Sequence, residues 1–288
     1  ILEIAKALFA NAKVIVLDEA TAPLPKHEVN MLFDFIRKQH DSGVAFIYIS
    51  HFLEEVFELC LTITVLRDGK KIGDYEVKDI DQQELIRLIS GTTVEQFKHK
   101  TRNMNGQVVL KVENLSREDQ YFDLDITLKK GEIIGLTGLE GCGKDTFARG
   151  LFGLEPLGKG KVYIDGKSFK AENSREAFNN GVVYLPRDRH GFGIIGLRPV
   201  YENITLPILR KLVNALGLLQ HDKEKNLVRN MIDKLNIVAS SMNQQVRFLS
   251  GGNQQKTVFA KLASTKPKLL LLNEPTQGVD VQAKVEIM

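Results

Sequence analysis

Gly138-Leu139-Glu140-Gly141-Cys142-Gly143-Lys144 is the stretch on which the fold turns. An apolar run at 132–136, read as a strand, precedes it, and an apolar-periodic run at 145–152, read as a helix, follows. G-x-x-x-x-G-K between a strand and a helix is the context of a phosphate-binding loop. Its glycines let successive backbone N–H groups curl around phosphate oxygens, and the helix behind presents its positive end. Lys144 then reaches the outer phosphates as a point charge. A glycine-rich turn in some other α/β protein produces the same heptad, so the loop by itself is only moderately specific.

One position departs from the pattern. A Ser or Thr hydroxyl normally follows the lysine and reaches Mg²⁺, whereas here Asp145 follows it. Thr146 comes one residue late, and the helix turns it in a different direction.

A second motif occurs twice. Val14-Ile15-Val16-Leu17-Asp18-Glu19-Ala20-Thr21 and Leu269-Leu270-Leu271-Leu272-Asn273-Glu274-Pro275-Thr276 share a shape, an apolar strand ending in an acidic pair, but the second has Asn273 where the first has Asp18. Placing Leu17 on Leu272 sets an offset of 255, and Ala5, Lys6, Lys13, Glu19 and Thr21 then match Ala260, Lys261, Lys268, Glu274 and Thr276. Runs of this kind are expected as fully buried parallel strands. The period is far too long for a solenoid, so the chain reads as two incomplete copies of one domain. The first occupies 1–95, a linker spans 96–106, and the second occupies 107–288.

In the first copy a helix is expected over 25–43, with Pro at its start and Gly at its stop. A strand at 44–50, His51, a helix at 54–60 and a strand at 62–66 entering the turn Arg67-Asp68-Gly69-Lys70 complete it. Strand and helix alternate in the second copy, which predicts a parallel sheet with crossover helices.

Composition narrows the classes. Across 288 residues, 43% are apolar and 26% charged, an ordinary globular balance with enough apolar material for a sizeable core. The net charge of +3, with both signs interspersed, gives no case for nucleic acid. Cys60 and Cys142 lie far apart without metal-ligand spacing, which favours a reducing compartment. Because no apolar run approaches the ~20 residues that cross a bilayer, a membrane role has to come through a partner. The chain starts at Ile1 inside an apolar-periodic segment (Ile1, Ile4, Ala5, Leu8) and reads as cut from something longer.

Leu249-Ser250-Gly251-Gly252-Asn253-Gln254-Gln255-Lys256 adds a third motif. Ser-Gly-Gly opening a helix suits it to hold a phosphate, although Ser250 as an ordinary helix cap explains the serine alone. With the phosphate loop and the Leu272-Asn273-Glu274-Pro275 strand in this order, the chain resembles the ATP-binding-cassette ATPases. Gly-Gly-Asn-Gln-Gln-Lys, Arg187-Asp188-Arg189, Tyr48-Ile49-Ser50-His51 and Val65-Leu66-Arg67-Asp68-Gly69 are similar, more narrowly, to the tandem-cassette ATPases of bacterial monosaccharide importers, a group with a nucleoside-handling branch.

The resemblance implies an α/β, P-loop nucleotide hydrolase fold in two incomplete tandem copies, and ATP and Mg²⁺ as cofactors. It also implies a peripheral place on the cytoplasmic face of the membrane. Membrane permease subunits, and through them a periplasmic or extracellular sugar-binding protein, are the implied partners; nucleic acid is not. Two cassettes, in one chain or as a homodimer, are expected head to tail, each ATP lying between the phosphate loop and acidic strand of one and the Ser-Gly-Gly of the other. Glu19, His51 and Glu274 are then the catalytic candidates, and Asp18, Asp145 and Asn273 the metal candidates. Nucleotide contacts fall to Gly138, Gly141, Cys142, Gly143, Lys144, Asp145, Thr146, Arg187, Ser250, Gly251, Gly252 and Gln254. Asp280 is expected at the cassette interface.

By the same offset the first copy's Ser-Gly-Gly would end at residue 1 and the second copy's switch histidine would fall at 306, so neither ATP site is complete within the stretch given. Asp18, Glu19 and His51 opposite Ser250-Gly251-Gly252 form an intact site, while Lys144, Asp145, Asn273 and Glu274 form an altered one. Asp145 either supplies the carboxylate that Asn273 lacks or marks degeneracy. Arg187 stands where a Gln or Glu is usual, free to bind phosphate or lie solvated. Tyr121 and Phe122 are read as packing residues rather than as adenine stackers. A soluble ribosome-acting cassette protein would carry a long charged linker, and a chromosome-maintenance ATPase would carry heptads; a non-hydrolysing regulatory cassette remains compatible with positions 145, 187 and 273.

Overall fold

The computed structural model describes residues 12–21, 24–67, 69–91, 106–139 and 141–279. The expected linker as far as residue 105, the opening apolar segment, Asp68, Glu140 and Asp280 lie outside the described residues. Two compact units divide the chain, one drawn from residues up to Lys98 and the other from His99 to Val279.

In the first unit β1 (Val14–Asp18) and β2 (Ala45–Ile49) pair in parallel, with Leu17 opposite Tyr48. The connection is α1 (Lys26–Asp41), whose Leu32, Phe33 and Ile36 line one face and bury against Ile15 and Leu17. After the helix, Gly43 at φ 95° reverses the chain while its N–H bonds His40 O at 2.8 Å. α2 (Leu53–Leu59), the hairpin β3 (Thr62–Arg67) and β4 (Lys70–Glu76), and α3 (Gln82–Ser90) enclose a separate core of Leu53, Val65, Ile80 and Leu85. Full burial of β1 is not met. Val14 and Val16 are 56% and 58% exposed, because α1 covers one face of the pair and, among the described residues, nothing covers the other.

The second unit begins with antiparallel strands instead of the parallel alternation expected. β5 (Val108–Arg117), β6 (Tyr121–Lys129), β7 (Lys159–Ile164) and β8 (Lys167–Ser168) form a sheet in the order β6-β5-β7-β8. α4 (Lys144–Leu151) packs Phe147 and Leu151 against Val112, Leu115 and Val182. Beyond α5 (Ser174–Asn179), β9 (Val182–Leu185) and β10 (Leu269–Leu272) make the parallel pair, Leu185 opposite Leu272. α6 (Val200–Thr205), α7 (His221–Lys234) and α8 (Gly251–Ser264) gather a second core around Val200, Ile204, Val228, Val246 and Val258.

The strand expected at 132–136 does not form. No neighbouring strand accepts its backbone among the described residues, and Ile133, Ile134 and Leu136 are exposed. An apolar run has the composition of a strand but needs a ladder partner to become one.

Candidate functional site

The phosphate loop enters α4 through Gly143, the N-cap, at φ 88°. A Cβ at this position would stand 2.3 Å from Gln120 O, so both backbone angle and space demand glycine. Gly141 is also left-handed, at φ 79°. Lys144 Nζ lies across the loop and donates to Gly138 O at 3.1 Å. Cys142 is exposed, its Sγ beside the position of Gly138. The Thr146 hydroxyl donates to Gln120 Oε1 at 2.6 Å and so is taken up inside the unit. Tyr121 packs as expected, edge-on to Phe147 with its hydroxyl donating to Leu157 O at 2.7 Å; Phe122 does not pack and is 71% exposed.

At the C-terminal ends of β1 and β2 the first unit brings Asp18, Glu19 and His51 together. Glu19 sits at φ 46°, its N–H bonded to Ile49 O at 2.9 Å, and His51 Nδ1 stands 3.0 Å from Glu19 Oε1. The imidazole is largely buried against the Phe52 ring, whereas the Glu19 carboxylate is open to solvent. Beneath them Glu55 Oε2 accepts from the hydroxyls of Tyr48 (2.5 Å), Thr21 (2.7 Å) and Ser50 (3.1 Å), and Ser50 Oγ accepts from Phe52 N at 3.0 Å. One carboxylate therefore fixes both residues that flank His51. Burial, and then the bond to Glu55, push the Tyr48 phenol well above the usual tyrosine range.

In the second unit a cavity of about 710 Å³ lies beside the start of α4, lined among others by Asp145, Tyr184, Arg187, Arg189 and Asn273. All three departures from the expected pattern, at 145, 187 and 273, thus face one space. Arg187 is neither simply solvated nor aimed at the loop: its Nε stands 3.1 Å from Glu274 Oε2 and 3.1 Å from Gln277 Oε1. Asn273 Nδ2 donates to the Tyr184 hydroxyl at 3.0 Å. Glu274 takes φ 46°, matching Glu19 at the corresponding position. Apart from Lys266, the other non-glycine residues with positive φ are Asn or Asp, the types that tolerate it.

Ser250 caps α8, accepting from Asn253 Nδ2 at 2.9 Å and Asn253 N at 3.4 Å, while its residue stays exposed. Gly251 and Gly252 open the helix, Gly252 buried. Gln254 is a correction. It is only 6% exposed and gives its amide to Val246 O and Leu249 O, so it braces the loop from inside and does not present itself to a ligand. Sequence reading also passed over Arg189, whose guanidinium donates to Gln277 O (2.8 Å) and Gly278 O (3.0 Å) next to Gly251. Its burial pulls its pKa below the ordinary arginine value. Glu55, Tyr48 and Tyr184 were missed too. The only signal for Glu55 was its place one turn beyond His51 on α2, and for Arg189 its place in the Arg187-Asp188-Arg189 run.

Residues 121–277 match the ABC transporter family, more than half the chain. The chain belongs to that family. Among its relatives is the "Ribose import ATP-binding protein RbsA" of Caldanaerobacter subterraneus, 39% identical over 99% of this chain and 58% of that protein. Another is the "Putative ribose/galactose/methyl galactoside import ATP-binding protein 3" of Agrobacterium fabrum, 41% identical over all of this chain and 57% of its own length. This ABC chain therefore spans little more than half the length of the curated relatives it matches. Among solved structures, a dimeric ATP-binding cassette in a post-hydrolysis state with ADP and Pi aligns over 62% of this chain and 79% of that one, at TM-score 0.52 and 21% identity, which carries the fold alone. The P-loop nucleotide hydrolase fold of the ABC family is thereby established.

Proposed function

We propose that the protein binds and hydrolyses ATP to energise a membrane importer of monosaccharides, docked on permease subunits at the cytoplasmic face, with one intact and one altered ATP site. The observation that carries hydrolysis is the 3.0 Å approach of His51 Nδ1 to Glu19 Oε1 at the mouth of the β1/β2 pair, the end of a parallel sheet where such folds place ligands. Glu19 polarises the attacking water, and His51 holds that water and the outer phosphate in line. Asp18, exposed at the end of β1, fits a Mg²⁺ shell, since this ion takes one or two carboxylates and keeps its waters and phosphates. When bound, the ion supplies neutralising charge to the phosphate oxygens. The sugar assignment is supported by the printed names of the relatives, and nucleoside import is its alternative.

The test is steady-state ATP hydrolysis by the complete protein in proteoliposomes with its permease. Ribose-stimulated turnover that His51→Ala abolishes is the expected result. A protein whose turnover survives that substitution does not use this site.

A further inference from the structure

We infer that Asn253 is a positioning residue for Ser250, holding the serine oxygen from behind so that its O–H points outward to an anionic acceptor such as a phosphate oxygen. The inference rests on the nucleotide reading of Ser-Gly-Gly at the start of α8. Asn253 joins two segments. Its Oδ1 accepts from Val238 N at 2.8 Å, in the stretch that follows α7, and its Nδ2 donates to Ser250 Oγ at 2.9 Å. A backbone N–H can only donate, so the contact with Val238 sets the amide with its oxygen there and its NH₂ toward the serine.

That orientation decides what Ser250 can do. Asn253 N approaches the same Oγ at 3.4 Å, so both lone pairs of the hydroxyl oxygen are engaged from the α8 side. What remains is the hydroxyl proton, and among the described residues no group accepts it. Ser250 is exposed, so the proton faces solvent. A serine that merely capped the helix would need only the Asn253 N–H. Here the shorter bond comes from a side chain anchored on another segment, and it fixes the direction of the oxygen. A helix start already favours an anion through its free N–H groups, and an outward serine O–H adds a donor to them.

Asn253→Asp tests this chemistry. An ionised carboxylate keeps the bond from Val238 N, but toward Ser250 it can only accept, so the serine O–H turns inward and the outward donor is lost. In the complete, permease-bound protein Asn253→Asp should lower kcat for ATP about tenfold with KM changed less than about twofold, the scale of one hydrogen bond lost from the transition state. Its melting temperature should not fall, because a carboxylate in the first turn suits the helix dipole. Ser250→Ala should lower kcat similarly, and in the Ser250→Ala background Asn253→Asp should cost less than about twofold, since the group it acts through is gone. Equal losses in both backgrounds would show that the new charge simply repels phosphate, and unchanged turnover in Asn253→Asp would show that the serine needs no such support. Either result overturns the inference and leaves the nucleotide reading intact. Normal turnover in Ser250→Ala overturns the nucleotide reading of Ser-Gly-Gly itself, and the inference with it.

Discussion

Glu55 Oε2 gathers three hydroxyls from two segments, Thr21 beyond β1 and Tyr48 and Ser50 at the end of β2, and this convergence makes Glu55 a positioning residue for His51. Glu55→Gln keeps the size but replaces an ionised acceptor by a neutral amide, weakening all three bonds together. In the complete protein turnover should fall about tenfold with little change in KM, because the imidazole is mis-aimed while nucleotide still binds. Equal loss in kcat and gain in KM would reduce Glu55 to a structural role. Tyr48 adds a pH signature. Its folded-state pKa is raised, so the stability it contributes is intact below its unfolded value of about 10 and is lost as pH rises beyond it. Thermal melting against pH should therefore steepen downward above about pH 10, and Tyr48→Phe should flatten that decline. Lys144 and His51 were readable in the sequence because motifs name them; Glu55 was not, since its role depends on Thr21 and Tyr48 converging from residues that are 34 and 7 positions away.

Among the elements, the turn into α4 is the most sharply specified. Gly143 combines φ 88° with a Cβ position blocked by Gln120 O at 2.3 Å. Since a backbone oxygen of the adjoining hairpin cannot swing aside as a side chain can, Gly143→Ala must reshape the loop. Binding of a fluorescent ATP analogue should fall at least about tenfold and the melting temperature should drop by several degrees. Leu151→Ala, at the other end of the same helix and fully buried, should cost about 2–5 kcal/mol by denaturant titration while sparing the loop. The two variants separate loop geometry from helix packing. Helices and paired strands were legible because apolar spacing follows the face they bury, as in Leu32, Phe33 and Ile36. The run at 132–136 was misread because spacing reports composition and cannot report whether a neighbour is there to accept the backbone. Antiparallel pairing of β5 with β6 and β7 was likewise invisible, being a property of partners rather than of any one segment.

At the scale of the whole molecule the offset of 255 sets β1 against β10 in sequence. β1 and β10 correspond in sequence, and each ends in a glutamate at φ 46°, yet β1 pairs with β2 on one edge and β10 with β9. The two glutamates share a strained backbone and differ in company. Glu19 faces an imidazole at 3.0 Å and open solvent, while Glu274 is tied to Arg187 at 3.1 Å with Asn273 in front of it. A carboxylate acting on water must be free to accept a proton or orient a hydrogen bond, and a guanidinium bound to it opposes both. The two acidic strand ends should therefore contribute unequally to turnover. Glu19→Gln should lower ATP hydrolysis by the complete, permease-bound protein by about a hundredfold or more, the scale of a lost general base. Glu274→Gln should change it by less than about twofold, because removing a carboxylate already neutralised by Arg187 withdraws little from the transition state. Comparable losses in the two variants would mean that Arg187 releases Glu274 during turnover and that both sites hydrolyse.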